Sequence, residues 1–209
     1  MSTLVKKIRI NTTLTLITGM HIGGSKENVE IGGIDAPVIK IASKGNQPYI
    51  PGSSLKGKMR CLLEQISGAT KVGENGEINK LFGKMGEHTR LIVRDAMLTS
   101  ASEELLRKNE QLDMPYTEAK WENSINRVKG TADSPRQLER VPAGAEFAIE
   151  FIINIWSDDK ESDLMNLLEK GIAILENDYL GGSGSRGYGQ VKFTKLTTTE
   201  LTPENNWKG

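Results

Sequence analysis

The sequence predicts an α+β fold with a ferredoxin-like βαββαβ core. Four segments show strand alternation, two show the apolar spacing of amphipathic helices, and their order is strand, helix, strand, strand, helix, strand. Each element has its own signal.

Ile8, Ile10, Thr12, Leu14 and Leu16 alternate with Arg9, Asn11, Thr13 and Thr15, which is the period of a half-buried strand, and Gly23-Gly24 ends the run. Residues 25–50 read as an irregular loop broken by Gly32-Gly33, Pro37, Gly45 and Pro48. Ser53 or Ser54 is a suitable helix N-cap, and Leu55, Met59, Leu62, Leu63 and Ile66 then mark one helical face. Lys56 and Arg60 share another face, and Ser67-Gly68 closes the helix. Leu81-Phe82 suggests a short helical turn, and residues 89–98 read as the second strand.

Residues 101–145 carry mixed signals: a short helix over Glu103 to Lys108, then a polar excursion. Phe147, Ile149, Phe151, Ile153 and Ile155 form the third strand. Ser157 caps a second long helix, with Asp158 and Asp159 at its positive end and Leu164, Leu167, Leu168 and Gly171 to Leu175 on its buried face. Tyr188 to Leu196 makes the fourth strand, and the tail after Thr197 is expected to be loose. The chain reads as one unit, 1–209. Its core covers about 4–18, 53–67, 89–98 and 146–196, with an inserted loop at 19–52 and an insertion at 99–145. Connections of that size are usually functional or disordered.

Composition narrows the function classes. The 209 residues suffice for one good core, and an aromatic content of 5% argues against a large aromatic-lined cofactor pocket. Lys+Arg and Asp+Glu both total 27, whereas a free-standing nucleic-acid binder is usually basic. The charge is uneven, however: from residue 35 to 60 the bases are Lys40, Lys44, Lys56, Lys58 and Arg60, and the one acid is Asp35. Cys61 is the sole cysteine, which rules out an internal disulfide, and it reads as a small buried hydrophobe. No Cys/His cluster suits zinc, no apolar run approaches a membrane span, and the N-terminus lacks a signal-peptide core. A soluble cytoplasmic protein without membrane partners is expected.

Five motifs carry candidate chemistry. Residues 181–189, GGSGSRGYG, hold five glycines that let backbone N–H groups approach phosphates, with Arg186 as a forked cation. The alternative is a turn that packs helix against strand. PGSSLKGKMR at 51–60 places Ser53 and Ser54 at a helix start that attracts anions, with Lys56 and Arg60 on one side. Gly57 inside that helix costs stability and suggests the close approach of another backbone. His21, at a strand end, is a candidate phosphate or ribose contact, or simply structural. Asp35, in the loop GGIDAPVIK, could hold a divalent metal, accept a proton, or make a local turn bond before Pro37. Segments 122–129 and 135–141, with Arg127, Lys129 and Arg136, read as a projecting hairpin for nucleic acid or protein contact.

Taken together, HIGG at 21–24, IDAPVIK at 34–40, PGSSLKGKMR, RLIVRDA at 90–96, KWENSINR at 120–127, PRQLERV at 135–141 and DYLGGSGSRGYG at 178–189 resemble the RAMP superfamily. The closer resemblance is to the backbone subunits of type III-A CRISPR (Csm) effector complexes. That resemblance implies a ferredoxin-like RNA-binding core and a single RAMP domain. It implies copies of the subunit arrayed in a filament along a guide crRNA, together with other Csm subunits. It implies sequence-independent backbone contacts by Ser53, Ser54, Lys56, Arg60, Gly184, Arg186 and His21, and a thumb hairpin at 120–141 bearing Arg127, Lys129 and Arg136. It further implies cleavage of complementary target RNA by Asp35, with a divalent ion, Mg²⁺, that Asp35 is the candidate to hold. Backbone-only recognition suits such a role, because base pairing supplies specificity.

Three other readings remain at this point. One is a non-catalytic RNA scaffold of the same superfamily. Another is a guide-processing ribonuclease with a histidine pair, for which only His21 and His88 exist. The last is a nucleotide-binding enzyme using the glycine loop.

Overall fold

The structure is a computed structural model that describes residues 2–24, 34, 36–71, 73–205 and 207. Its elements run β1 (Leu4–Leu16), β2 (Lys40–Ile41), β3 (Gln47–Ile50), α1 (Gly52–Ile66), α2 (Gly76–Phe82), β4 (Leu91–Val93), β5 (Ala96–Met97), α3 (Ser100–Arg107), β6 (Glu118–Ile125), β7 (Ala132–Arg140), β8 (Glu146–Trp156), α4 (Glu161–Glu176), β9 (Val191–Phe193) and β10 (Thr197–Leu201).

The main sheet has the order β10-β1-β8-β4, and β9 pairs with β1 beyond the end of β10. All these pairings are antiparallel, and β1 meets β8 from Leu4↔Trp156 to Thr15↔Glu146. With α1 after β1 and α4 after β8, this is the βαββαβ arrangement read from the sequence. Ile8, Ile10, Leu14 and Leu16 of β1 share one core with Phe147, Phe151 and Ile153 of β8 and with Leu55, Met59, Leu168 and Leu175 of the helices. Each such side chain contributes about 1.5–3 kcal/mol by leaving water. Gly171 of α4 lies against Met59 and Leu63, so the absence of a side chain there lets the two helices approach closely. No helix among the described residues is long and apolar enough to cross a membrane.

Several details differ from the reading above. The second strand is split: Leu91–Val93 stays in the main sheet, while Ala96–Met97 pairs with β3, because Asp95 between them turns to accept the Gly52 N–H at 2.8 Å. The tail is not loose, since Thr197–Leu201 pairs with Asn11–Lys7 of β1. The last core strand shortens to Val191–Phe193.

Ser157 does not cap α4, which starts at Glu161 after Lys160. Its N–H instead bonds Thr3 O at 2.9 Å and prolongs the sheet. Asp159 is likewise not a helix-dipole acid. Its fully buried carboxylate pairs with Lys80 at 2.8 Å and Arg90 at 3.1 Å and accepts the Trp156 N–H. Cys61 is exposed, because it falls between the buried positions Met59 and Leu62 on the outer side of α1. Gly57 has open space where a side chain would stand, so no backbone approaches it.

Candidate functional site

A three-way junction forms at the exit of β1. Gly182 N–H donates to His21 O at 2.8 Å, and Gly189 N–H donates to Gly19 O at 3.0 Å, which ties the glycine loop to residues 19–21. A side chain at Gly181 would stand 2.3 Å from His21 O, and one at Gly189 would stand 2.0 Å from Leu180 O; both have positive φ, so these positions require glycine. The His21 ring reaches the other way. Its Nδ1 lies 2.7 Å from Glu139 O, an atom that can only accept, so Nδ1 carries the proton in that bond.

The third arm is the segment that follows Asp35. Ala36 pairs in parallel with Leu138, and Glu139 N–H donates to Ala36 O at 3.1 Å. The Glu139 carboxylate, almost wholly buried, accepts Val38 N–H at 2.8 Å and Thr117 Oγ1–H at 2.6 Å and pairs with Lys40 at 2.5 Å. A buried carboxylate survives only with such partners. Asp35 itself lies outside the described residues.

The hairpin β6–β7 rises from this junction as the sequence suggested, with Lys120↔Leu138 and Glu122↔Arg136 in register. Asn126 holds its tip by accepting the N–H groups of Val128 and Lys129 at 3.1 and 3.0 Å. The tip therefore presents Arg127, Val128 and Lys129 to solvent, with Val128 95% exposed. One face of the hairpin base leans on the glycine loop. Glu122 pairs there with Arg136 at 3.0 Å and with Arg186 at 3.3 Å, and Lys120 stands over the buried Tyr188 ring at 4.2 Å. Burial alone would raise the Glu122 pKa. Hydrogen bonds from Arg136 and Tyr188, with the charges of Arg186 and Arg136, outweigh that and hold it below the usual range. Burial and the same carboxylate push the Tyr188 phenol up to about 12.

Helix α1 reaches the glycine loop through a residue the sequence reading did not single out. Lys58 pairs with Asp178 at 3.2 Å and sits 3.7 Å over the Tyr179 ring, which packs directly against Gly184. A side chain at Gly184 would come within 2.0 Å of that ring. A groove of about 540 Å³ runs beside it, lined by Thr18, Tyr179, Gly184, Ser185 and Gln190 among others.

Lys56 and Arg60 point elsewhere. Lys56 Nζ donates to Leu91 O at 2.8 Å and Thr89 Oγ1 at 3.1 Å, and burial, with the Arg60 charge, lowers its pKa. Arg60 donates to Glu64, Gly83 O and Asn79 Oδ1 and so staples α1 to α2. Ser53 is exposed and Ser54 half-buried, but neither caps the helix; Pro51 is the N-cap residue and the Asp95 carboxylate takes the Gly52 N–H. Helical angle separates these groups: Lys58 lies some 160–200° around α1 from Lys56 and Arg60, and that angle was the available signal for Lys58. The signal for Glu122 was its position opposite Arg136 once the turn at 126–131 is placed. Among the described residues no group of three or more His, Cys, Asp or Glu is arranged to hold a metal ion.

Comparison with known proteins agrees with this geometry. The family model of the RAMP superfamily matches residues 13–192. The CRISPR system Cms endoribonuclease Csm3 of Methanocaldococcus jannaschii is 43% identical over 211 residues, covering 93% of this chain and 81% of that protein. The protein of the same name from Streptococcus thermophilus is 44% identical, covering 93% of this chain and 90% of its own length. A chain of the Csm3-Csm4 subcomplex of the type III-A CRISPR-Cas interference complex superposes with a TM-score of 0.62 at 34% identity, covering 98% of this chain and 84% of that one. A chain of the type III-B Cmr-beta complex bound to cognate target RNA, 20% identical with a TM-score of 0.66, shares the fold. The chain belongs to the RAMP superfamily and, within it, to the Csm3 family.

Proposed function

We propose that this chain is the repeated backbone subunit of a type III-A CRISPR effector complex. It holds guide crRNA without regard to sequence and cuts the complementary target RNA at regular intervals. The observation that carries this reading is the junction. One set of bonds around His21 and Glu139 joins the glycine loop, the hairpin base and the segment following Asp35. A nucleic-acid backbone lying along the glycine loop would thus pass close to the foot of the hairpin, and a base step pried apart by the hairpin would lie near the 34–40 loop.

In this reading the guide backbone contacts Ser53, Ser54, Gly184, Arg186 and the His21 ring. Arg127, Lys129 and Arg136 belong to the hairpin. Lys56 and Arg60 enter the contact only by exchanging their acceptors in the 64–91 region for phosphates. Copies of the chain bind side by side along the guide, with other Csm subunits at the ends. A neutral total charge lets copies stack without self-repulsion.

For the cut, the hairpin displaces a target nucleotide and frees its sugar to rotate. The 2′-oxygen attacks the adjacent phosphorus in line, its proton passes to the Asp35 carboxylate, and the 5′-oxygen leaves and takes up a proton from water. A 2′,3′-cyclic phosphate and a 5′-hydroxyl result, and DNA, lacking the 2′-hydroxyl, is not cut. The divalent ion implied by the resemblance, Mg²⁺, would be held by Asp35 and would supply charge neutralisation at the phosphate. The described residues build no cage for it.

The test is incubation of the purified complex with end-labelled complementary RNA. Asp35→Ala abolishes cutting and leaves assembly and RNA binding intact, and EDTA stops cutting reversibly. Loss of assembly in Asp35→Ala would make Asp35 structural and overturn its catalytic role.

A further inference from the structure

We propose that Arg136 of the hairpin and Arg186 of the glycine loop form one seat for an RNA phosphodiester, and that Glu122 occupies this seat until RNA displaces it. The inference rests on the RNA-binding reading above and adds an internal competitor to it.

The two arginines come from elements far apart in sequence and converge on one atom. Glu122 Oε2 accepts from Arg136 Nη2 at 3.0 Å and from Arg186 Nη1 at 3.3 Å. Each guanidinium makes a single bond to the carboxylate, although it carries five donors in a fork matched to two acceptor oxygens. The other carboxylate oxygen, Oε1, is buried and receives no bond from either arginine. The Glu122 side chain is only 10% exposed, so solvent has little access to supply the donors that the arginines do not. The resting arrangement is therefore an incomplete one.

A phosphodiester completes it. Its two non-bridging oxygens diverge, so each can accept from a different arginine. Access is open from the solvent side, because the arginine side chains are 43% and 54% exposed while the glutamate between them is covered. The surroundings favour an anion of higher charge density: Lys120 and Arg140 both stand over the Tyr188 ring at the same face. Glu118, on the same strand, is already paired with Arg140. Glu122 also holds both guanidiniums in place beforehand, which lowers the freedom they lose on binding. Its negative charge opposes the incoming phosphate, and that opposition sets the net effect.

The experiment measures binding of a fluorescein-labelled single-stranded RNA to the isolated full-length chain across a salt series. Glu122→Gln, which keeps shape and removes charge, is expected to bind about 3–10-fold tighter. Its log–log salt slope should steepen by about 0.7, the value of one further neutralised phosphate on a single strand. Arg136→Gln or Arg186→Gln weakens binding, and either one placed in the Glu122→Gln chain erases the gain. Equal or weaker binding by Glu122→Gln at an unchanged slope would overturn the proposal and leave the RNA-binding reading standing. Absence of RNA binding by the wild-type chain would sink both. Should Glu122→Gln fail to fold, arginine side-chain NMR of the wild-type chain decides: the Arg136 and Arg186 Nε–H signals must shift together as RNA is added, and separate or absent shifts refute the shared seat.

Discussion

The buried carboxylate of Glu139 accepts the backbone N–H of Val38 at 2.8 Å, and so fastens the segment after Asp35 to the second strand of the hairpin. The same carboxylate holds Thr117 and Lys40, and the same residue's carbonyl takes the His21 ring. Glu139→Leu breaks three polar contacts in one buried place and leaves Lys40 unpaired. Such losses cost about 3–5 kcal/mol. Chemical denaturation measures the loss, and hydrogen exchange at the Val38 amide rises with it. An unchanged Val38 exchange rate would show that the segment is held by other means.

Asp159 links the end of β8 to α2 and β4. Burial alone would raise its pKa, but hydrogen bonds from Arg90, Lys80 and the Trp156 N–H, with the Arg90 charge, outweigh burial and lower it. A depressed folded pKa stabilises the protein at neutral pH, fully so above the unfolded value. That contribution is lost as pH falls from about 5 through the folded pKa. Asp159→Asn therefore costs about 3–5 kcal/mol at pH 7. Urea titrations at pH 7, 5, 4 and 3 should show the difference from wild type shrinking with acidity; a constant difference would contradict the assignment.

Gly184 lies under the Tyr179 ring with no room for a methyl group. Gly184→Ala forces the ring or the loop to move and costs about 1–3 kcal/mol. Tyr179→Ala in the same chain removes the obstacle. A thermal-melt cycle should give less than the sum of the two single losses, and strict additivity would rule out the contact as the cause.

Arg127 and Arg60 test the division between contact and scaffold. Arg127→Ala at the exposed hairpin tip changes stability by less than about 0.5 kcal/mol. It lowers RNA affinity and flattens the salt slope by about 0.7. Arg60→Ala removes bonds to Glu64, Gly83 and Asn79 and destabilises by about 1–3 kcal/mol. Paired melting curves and fluorescence titrations separate the two effects.

Much of the architecture was legible because it follows from local periodicity. The alternation from Ile8 to Leu16 and from Phe147 to Ile155 gave the two central strands, and the apolar faces around Met59 and Leu168 gave the two long helices. The hairpin was readable from paired segments around Gly130. The misread helix caps share a cause: each depended on a partner distant in sequence, whereas Cys61 was misread on the helical phase of α1 alone. Ser157 is a good cap by composition, yet Thr3 claims it for the sheet. Ser53 and Ser54 are good caps as well, yet Asp95, more than forty residues on, takes the helix N–H.

The sequence by itself determined the order of the core strands and helices, the cluster of glycines at 181–189, and the set of basic residues available to meet a polyanion. Only the tertiary structure decided which of those bases face one another. It turned Lys58 toward the glycine loop, spent Arg60 on α2, and set Glu122 between Arg136 and Arg186. The reason is physical: periodicity is written in neighbouring residues, whereas the partner of a long charged side chain is fixed by how separate elements pack.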